Sequence, residues 1–305
     1  MYIGKEKINI TDNLDFFARQ VVEGFLTGLH KSPYHGFSVE FAEHRLYNPG
    51  DSMKNIDWKL FARSNKLFVK KFEEETNLRC HLLLDTSSSM LYPKDSVLSK
   101  LSFSVYSAAS LMYLFRKQRD GFGLTYFTDK LNFFTDAKST KSHYYRLIGE
   151  LDRLLKGTLL EEPRKTNFPS IITDFVDKIH RRSLVIIFSD MLNFSQSYTE
   201  DLFNALQYLS YKKNEVVLFH VYSHETEKMF DFSNQPHSFY DLENNNSIKL
   251  NPLNYKDEYF KLFRDFQKSL EMKCHQYKID FVPSPIEEGF HKILLSYLNK
   301  RSKLF

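Results

Sequence analysis

Two apolar runs, each ending in a carboxylate, constrain the fold of this chain more than any other feature. CHLLLD (80–85) carries HLLL straight into Asp85, and SLVIIF (183–188) runs straight into Ser189 and Asp190. Runs this short and this uniformly apolar suit strands buried on both faces. Elsewhere the apolar spacing changes to three or four residues. Leu98, Leu101, Val105, Ala108, Met112 and Phe115, widened by Val97, Leu111 and Leu114, predict a heavily buried helix. FGLTYF (122–127) predicts a strand that turns at Asp129-Lys130 and pairs with LNFF. Tyr144, Leu147, Leu151 and Leu154 predict one helix, and Phe168, Ile171, Ile172, Phe175 and Ile179 another. A helix near 199–211 and the strand EVVLFHVY (215–222) follow. A small hairpin in SNQPHSFYDLENNNSIKLN, a helix over about 255–277, the strand IDFV (279–282) and a helix over about 287–300 complete the series. Alternating strands and helices predict an α/β, Rossmann-like fold, a mostly parallel sheet with helices on both faces. Ligands of such sheets bind at the C-terminal strand ends, where the strand order reverses.

The first 78 residues read differently. Leu14, Phe17, Val21, Phe25 and Leu29 recur on one face of a helix over 12–30. Pro33, Gly36, Pro49 and Gly50 then punctuate a loop-rich stretch with short strands, and LFVKKFEEET from Leu67 reads as extended. The expected division is an N-terminal helix and small β-containing head at 1–78, followed by the α/β domain at 79–305. No fixed-period repeat or low-complexity tract interrupts either part.

Composition narrows the function classes. The longest apolar stretches are a few residues, far short of the roughly 20 that a membrane helix needs, and MYIGKEKINITDN lacks the apolar region of a secretory signal. The expected location is therefore the cytosol, with no membrane span. Cys80 and Cys274 stand far apart, so they form neither a disulfide framework nor a zinc site and read as buried thiols. A net charge of +4 permits a nucleic-acid partner without demanding one.

The two strand ends carry the chemistry. HLLL is followed by DTSSSM, so Asp85, Ser87 and Ser89 sit at the C-terminal edge of the sheet, with a helix N-terminus nearby. Ser189 and Asp190 end the other strand at the same edge, and Thr166, just before the helix at Phe168, is placed to join them. All of these donors are oxygen. Such a set suits a hard divalent cation, Mg²⁺ or Mn²⁺, which keeps some of its waters. Neutral hydroxyl ligands leave the metal electrophilic, and a partner's carboxylate is a natural further ligand.

D-x-S-x-S after a buried strand resembles the metal-ion-dependent adhesion site of von Willebrand factor A domains. That resemblance implies Asp85, Ser87, Ser89, Thr166 and Asp190 as the metal ligands. Thr158 lies in the same loop as Thr166, and Asn167 stands where that family commonly has Asp. Upstream, Arg45, Tyr47, Pro49-Gly50-Asp51, Ile56-Asp57-Trp58 and Ala62-Arg63, then a Glu-rich strand, precede the same motif. This order, with RRSLVIIFSDML and FYDLENN, resembles the bacterial family known as domain of unknown function 58, over about residues 12–300. The resemblance implies a von Willebrand factor A-like sheet. It further implies a non-enzymatic, Mg²⁺-dependent interaction module, partner or adaptor of a MoxR-type AAA+ ATPase in chaperone-like maturation of other proteins.

Plainer readings stand beside these. Asp85 and the serines would also serve as a helix N-cap. A phosphoryl-accepting Asp85 wants a second acid at position 87, which is Ser. No G-x-S-x-G elbow surrounds Ser87 or Ser89. His220, His224 and Glu225 do not form H-E-x-x-H, and His220 reads as a satisfied or solvated histidine. Arg45, Asp51, Asp57, Trp58 and Arg63 read either as an ion-pair network within the head or as a partner-binding surface. Trp58, the only tryptophan, reads as packed. Two rivals to the interaction module are a nucleic-acid-binding protein using basic clusters at 54–71 and 298–303, and a metal-assisted hydrolase using the same cation.

Overall fold

A computed structural model describes residues 2–3, 6–7, 13–30, 44–47, 58–64, 66–70, 78–94, 98–157, 165–193, 195–242 and 246–302. The chain falls into two compact units, one of residues 1–27 and 78–305 and the other of residues 28–77. It opens with a short antiparallel pair, β1 (Tyr2–Ile3) and β2 (Glu6–Lys7), and a helix, α1 (Leu14–His30). In the smaller unit β3 (His44–Leu46) pairs antiparallel with β4 (Phe68–Lys70), and α2 (Trp58–Ser64) lies between them in sequence.

The larger unit continues with β5 (Arg79–Asp85), α3 (Lys100–Lys117), β6 (Gly121–Phe127), β7 (Leu131–Phe134) and α4 (Lys141–Leu155). Then come α5 (Phe168–Val176), β8 (Leu184–Ser189), α6 (Gln196–Tyr211) and β9 (Glu215–Tyr222). The hairpin β10 (His237–Tyr240) and β11 (Ser247–Leu250) precedes α7 (Lys256–Gln276), β12 (Asp280–Pro285) and α8 (His291–Ser302). Helix starts follow local chemistry. Ser99 and Ser102 form a reciprocal capping box on α3, and the Thr140 side chain caps α4.

Six strands form the central sheet in the order β12-β9-β8-β5-β6-β7. All pairs are parallel except β6–β7. This is the mostly parallel α/β sheet expected from the alternating pattern. From β5 the chain proceeds outward to β6 and β7, and from β8 it proceeds the other way to β9 and β12. The order therefore reverses between β5 and β8, which is where ligands of such sheets bind.

Helices cover both faces. On one, α5, α6 and α7 bring Ile172, Phe175, Leu206 and Leu270 against Leu83, Ile187 and Leu218. On the other, the Phe115 ring of α3 meets Phe122 of β6 and Tyr297 of α8. Phe17 of α1 is wholly buried against Tyr106 and Phe290, and Tyr144 donates to Asp15 at 2.6 Å. These contacts count residues 14–27 of α1 with the sheet, whereas the sequence grouped them with the head. The apolar stripe of α1 was legible, but the surface it covers was not. Cys80 and Cys274 are buried free thiols, as expected.

His81 is an oddity of this core. It lies mid-strand in β5, edge-on to Phe175 at 5.8 Å and stacked with Phe134 at 6.4 Å. A side chain at Gly123 would come within 3.0 Å of its Nδ1 and 2.5 Å of the Thr135 carbonyl oxygen, so the backbone must approach here without a Cβ. Neither ring nitrogen has a hydrogen-bond partner among the described residues. Burial pulls the His81 pKa down to about 4. The unfolded chain takes up this proton near pH 6.5 and the native protein does not until about 4, so stability is present above 6.5 and is lost as pH falls through that window. The expected loss is up to about 3 kcal/mol. Urea titrations at pH 7 and pH 4 should show a smaller drop in His81→Leu than in the parent protein. Equal drops would mean that the ring gains a compensating partner on protonation.

Candidate functional site

The site is assembled by register. β5 and β8 pair with Leu84 beside Phe188, so the next residues, Asp85 and Ser189, emerge together at the C-terminal edge. Ser189 Oγ donates to Asp85 Oδ2 at 2.6 Å, and the Ser87 backbone N–H donates to Asp85 Oδ1 at 2.9 Å. Thr86 ties the loop to the neighbouring strand, since both its N–H and its hydroxyl donate to the Phe127 carbonyl, at 2.9 and 2.7 Å. This turns Ser87 and Ser89 inward, with their Oγ atoms 3.1 Å apart. The Ser89 side chain hydrogen-bonds Asp190. Four of the five expected ligands, Asp85, Ser87, Ser89 and Asp190, are thus linked directly or through Ser189.

Thr166 reaches the same edge by another route. The N–H of Asn167 donates to the Thr128 carbonyl at 3.4 Å, one residue beyond the Phe127 that pairs with Asp85. Thr166 Oγ1 is buried and has no hydrogen-bond partner among the described residues. An unmade hydrogen bond on a buried hydroxyl costs about 1–3 kcal/mol. Thr158 lies outside the described residues.

The sequence did not anticipate Lys100. It is the first residue of α3 and fully buried, and its ammonium bonds Asp190 Oδ2 at 2.7 Å and Glu227 Oε1. A cation at a helix N-terminus faces the positive end of the dipole. Carboxylates must outweigh that cost as well as desolvation. Burial alone would lower the Lys100 pKa, but Asp190 and Glu227 together raise it above the usual lysine range. Burial would raise Asp190, but Lys100 holds it below the usual carboxylate range. Asp85 has no such partner, and burial with the nearby Asp190 charge pushes it up to about 6.

Glu227 is fixed from behind. The Ser223 N–H donates to its Oε2 at 2.8 Å, while Ser223 Oγ and the His224 N–H both donate to Glu287, at 2.8 and 3.0–3.1 Å. Lys100 therefore ties the strand-end carboxylate to the turn after β9 and onward to the segment before α8. Lys100, Ser104, Ser107 and Leu111 share one helical face and all four are buried, but so is most of the rest of α3, so no local pattern singled Lys100 out. Nothing local marked Glu227, which stands 127 residues from Lys100.

The remaining expected residues, Arg45, Asp51, Asp57, Trp58 and Arg63, belong to the smaller unit. Asp51 and Asp57 lie outside the described residues. In the smaller unit Arg45 pairs with Val69 across the two short strands. Trp58 opens α2 and is 59% exposed, which corrects its reading as packed, because a seven-residue helix has only one apolar side to bury. Arg63, at the end of the same helix, is exposed. His220 is a core histidine, wholly buried, with its Nδ1 3.3 Å from the Gln267 amide nitrogen.

Among the described residues no three His, Cys, Asp or Glu side chains form a metal cluster. The donors here are chiefly hydroxyls, and they fit a small hard cation. Adjacent ligands of an octahedral Mg²⁺, at about 2.0–2.1 Å from it, stand about 3 Å apart, matching the 3.1 Å between Ser87 and Ser89. Asp85, Ser87, Ser89, Thr166 and Asp190 would hold it.

Residues 43–259 match the family described as "Protein of unknown function DUF58", and the chain belongs to that family. Uncharacterized proteins of Mycobacterium tuberculosis and Mycobacterium bovis are each 30% identical over 101 residues, which is 33% of this chain and 32% of theirs. The match thus spans about a third of those relatives. Among solved structures, the conserved hypothetical protein BatB of Bacteroides thetaiotaomicron is 14% identical, with a TM-score of 0.46 over 74% of this chain and 98% of its own. An aerotolerance-related membrane protein of Bacteroides fragilis is 14% identical, with a TM-score of 0.48 over 74% of this chain and 99% of its own. An uncharacterized membrane-spanning protein of Vibrio fischeri is 12% identical, with a TM-score of 0.23 over 73% and 96%.

Two of these three neighbours are described as membrane proteins, and the expectation of a cytosolic chain is withdrawn on that finding. It rested on missing apolar segments. Among the described residues no helix is long and apolar enough to cross a membrane, but such a lack assigns a protein to no compartment.

Removing the Lys100 charge leaves Asp190 and Glu227 buried without a counter-ion. In chelator, Lys100→Met is expected to lose about 3–5 kcal/mol of stability, read from urea unfolding. A loss below about 1 kcal/mol would show that another group neutralises the carboxylates.

Proposed function

We propose that this protein is a non-enzymatic, Mg²⁺-dependent protein-interaction module whose sheet is of the von Willebrand factor A type. The observation that carries the reading is the pair of serine hydroxyls 3.1 Å apart, beside two carboxylates, at the point where the strand order reverses. The buried Thr166 hydroxyl, which lacks a partner among the described residues, adds a fifth oxygen donor. Mg²⁺ or Mn²⁺ held there supplies an electrophilic position for an outside carboxylate. The chain's own residues do the rest. Asp85 and Asp190 provide the anionic charge, the serines provide neutral donors, and Ser189 and Lys100 keep the two carboxylates in place.

An interaction role suits this chemistry better than hydrolysis. A hydrolase needs a general base within reach of a metal-bound water. Asp85 already accepts from Ser87 and Ser189, and Asp190 from Lys100 and Ser89. The partner we propose is a protein that presents a Glu or Asp side chain, either a MoxR-type AAA+ ATPase or a client protein matured with its help. Membership of the family supplies the motif order on which this assignment rests.

The test is retention from native lysate by the tagged protein, in Mg²⁺, in EDTA, and with Asp85→Ala in Mg²⁺. An AAA+ ATPase held at least tenfold better by the parent protein in Mg²⁺ than in the other two samples is the expected result. The same partners at the same yield in all three would remove the metal bridge from consideration.

A further inference from the structure

We propose that Lys100 is a resident cation that sets the affinity of the metal site. Its ammonium stands in for metal charge when the site is metal-free and opposes a dication when one arrives. This deepens the metal-site reading above and rests on it. Lys100 is fully buried and its two partners, Asp190 and Glu227, are nearly so. With Asp85, whose Oδ2 is bonded through Ser189 to the same strand end, the cluster holds three carboxylates and one ammonium.

Their formal charge is −2 with every group ionised, which a single Mg²⁺ or Mn²⁺ would cancel. Without Lys100 it would be −3, and a metal-free site would carry that charge in a water-poor interior. A buried ionic group left without its partner is strongly destabilising. Lys100 removes that cost at all metal concentrations. The same ammonium shares Asp190 with any cation bound there, and like charges so close repel strongly at low dielectric. The site therefore holds a dication weakly until an anionic ligand restores the charge balance. That makes metal retention and binding of an acidic partner mutually dependent.

Mn²⁺ alone is the probe, followed by electron paramagnetic resonance and by thermal melting in Mn²⁺ and in EDTA. Lys100→Met is expected to bind Mn²⁺ at least tenfold more tightly than the parent protein. Its melting temperature should be lowered in EDTA and largely restored by Mn²⁺, while that of the parent changes little between the two. Glu227→Gln keeps the ammonium and removes one negative charge, so it should bind Mn²⁺ at least tenfold more weakly, and it provides a test should Lys100→Met not fold. Unchanged Mn²⁺ affinity in both variants, with binding still lost in Asp85→Ala, overturns the role of Lys100 and leaves the metal site standing. Absence of Mn²⁺ binding in every protein, Lys100→Met included, overturns the metal site itself.

Discussion

The parallel pairing of β5 with β8 is the constraint on which the site depends. Both strands are buried on both faces, so neither can slip by a residue without turning a row of apolar side chains toward the wrong helices. The register therefore locks, and Asp85 arrives beside Ser189 at the point where the chain leaves the sheet in opposite directions. A carboxylate pair that would repel in isolation is held together by strand packing that has nothing to do with charge. The charges must then be answered locally, by hydroxyls, by backbone N–H groups and by Lys100.

That answer shapes the surrounding structure. Lys100 is carried in on a helix whose start is set by the Ser99–Ser102 capping box, so its Cα position is fixed before its charge is considered. It then reaches Asp190 and Glu227, and Glu227 is braced through Ser223 toward Glu287. Three segments distant in sequence share one buried ionic cluster. Such a cluster contributes little net stability when intact, but a lone buried charge is costly. Its members are therefore specified together, by one another.

Much of this was legible in the residues. The six central strands, the hairpin β10–β11 and the turn at Asp129-Lys130 all fall where apolar period and turn residues indicated. Asp85, Ser87, Ser89 and Asp190 were recognisable because polar residues directly after a buried strand must emerge at the sheet edge. Membership of the DUF58 family was legible as well, from the ordered motifs between Arg45 and Asp85. Less legible were the partners of amphipathic surfaces. The stripe on α1 specified a helix but not that Phe17 would pack on Tyr106 and Phe290. The lone Trp58 looked like core and is exposed. Each depends on which surface a side chain meets, and no local pattern encodes that.

By itself the sequence determined the order of strands and helices, the parallel sheet and the oxygen-rich edge, because each follows from the apolar period and from what ends each run. Tertiary structure alone decided that Lys100 is buried between Asp190 and Glu227, that Thr166 Oγ1 is buried with no partner among the described residues, and that Asp85 is pushed up to about 6. The physical reason is distance along the chain. Hydrophobic period is a local property, readable within a few turns of helix or one strand. Electrostatic balance in a buried site sums over groups that folding brings together from up to 127 residues apart, and no stretch of sequence contains that sum.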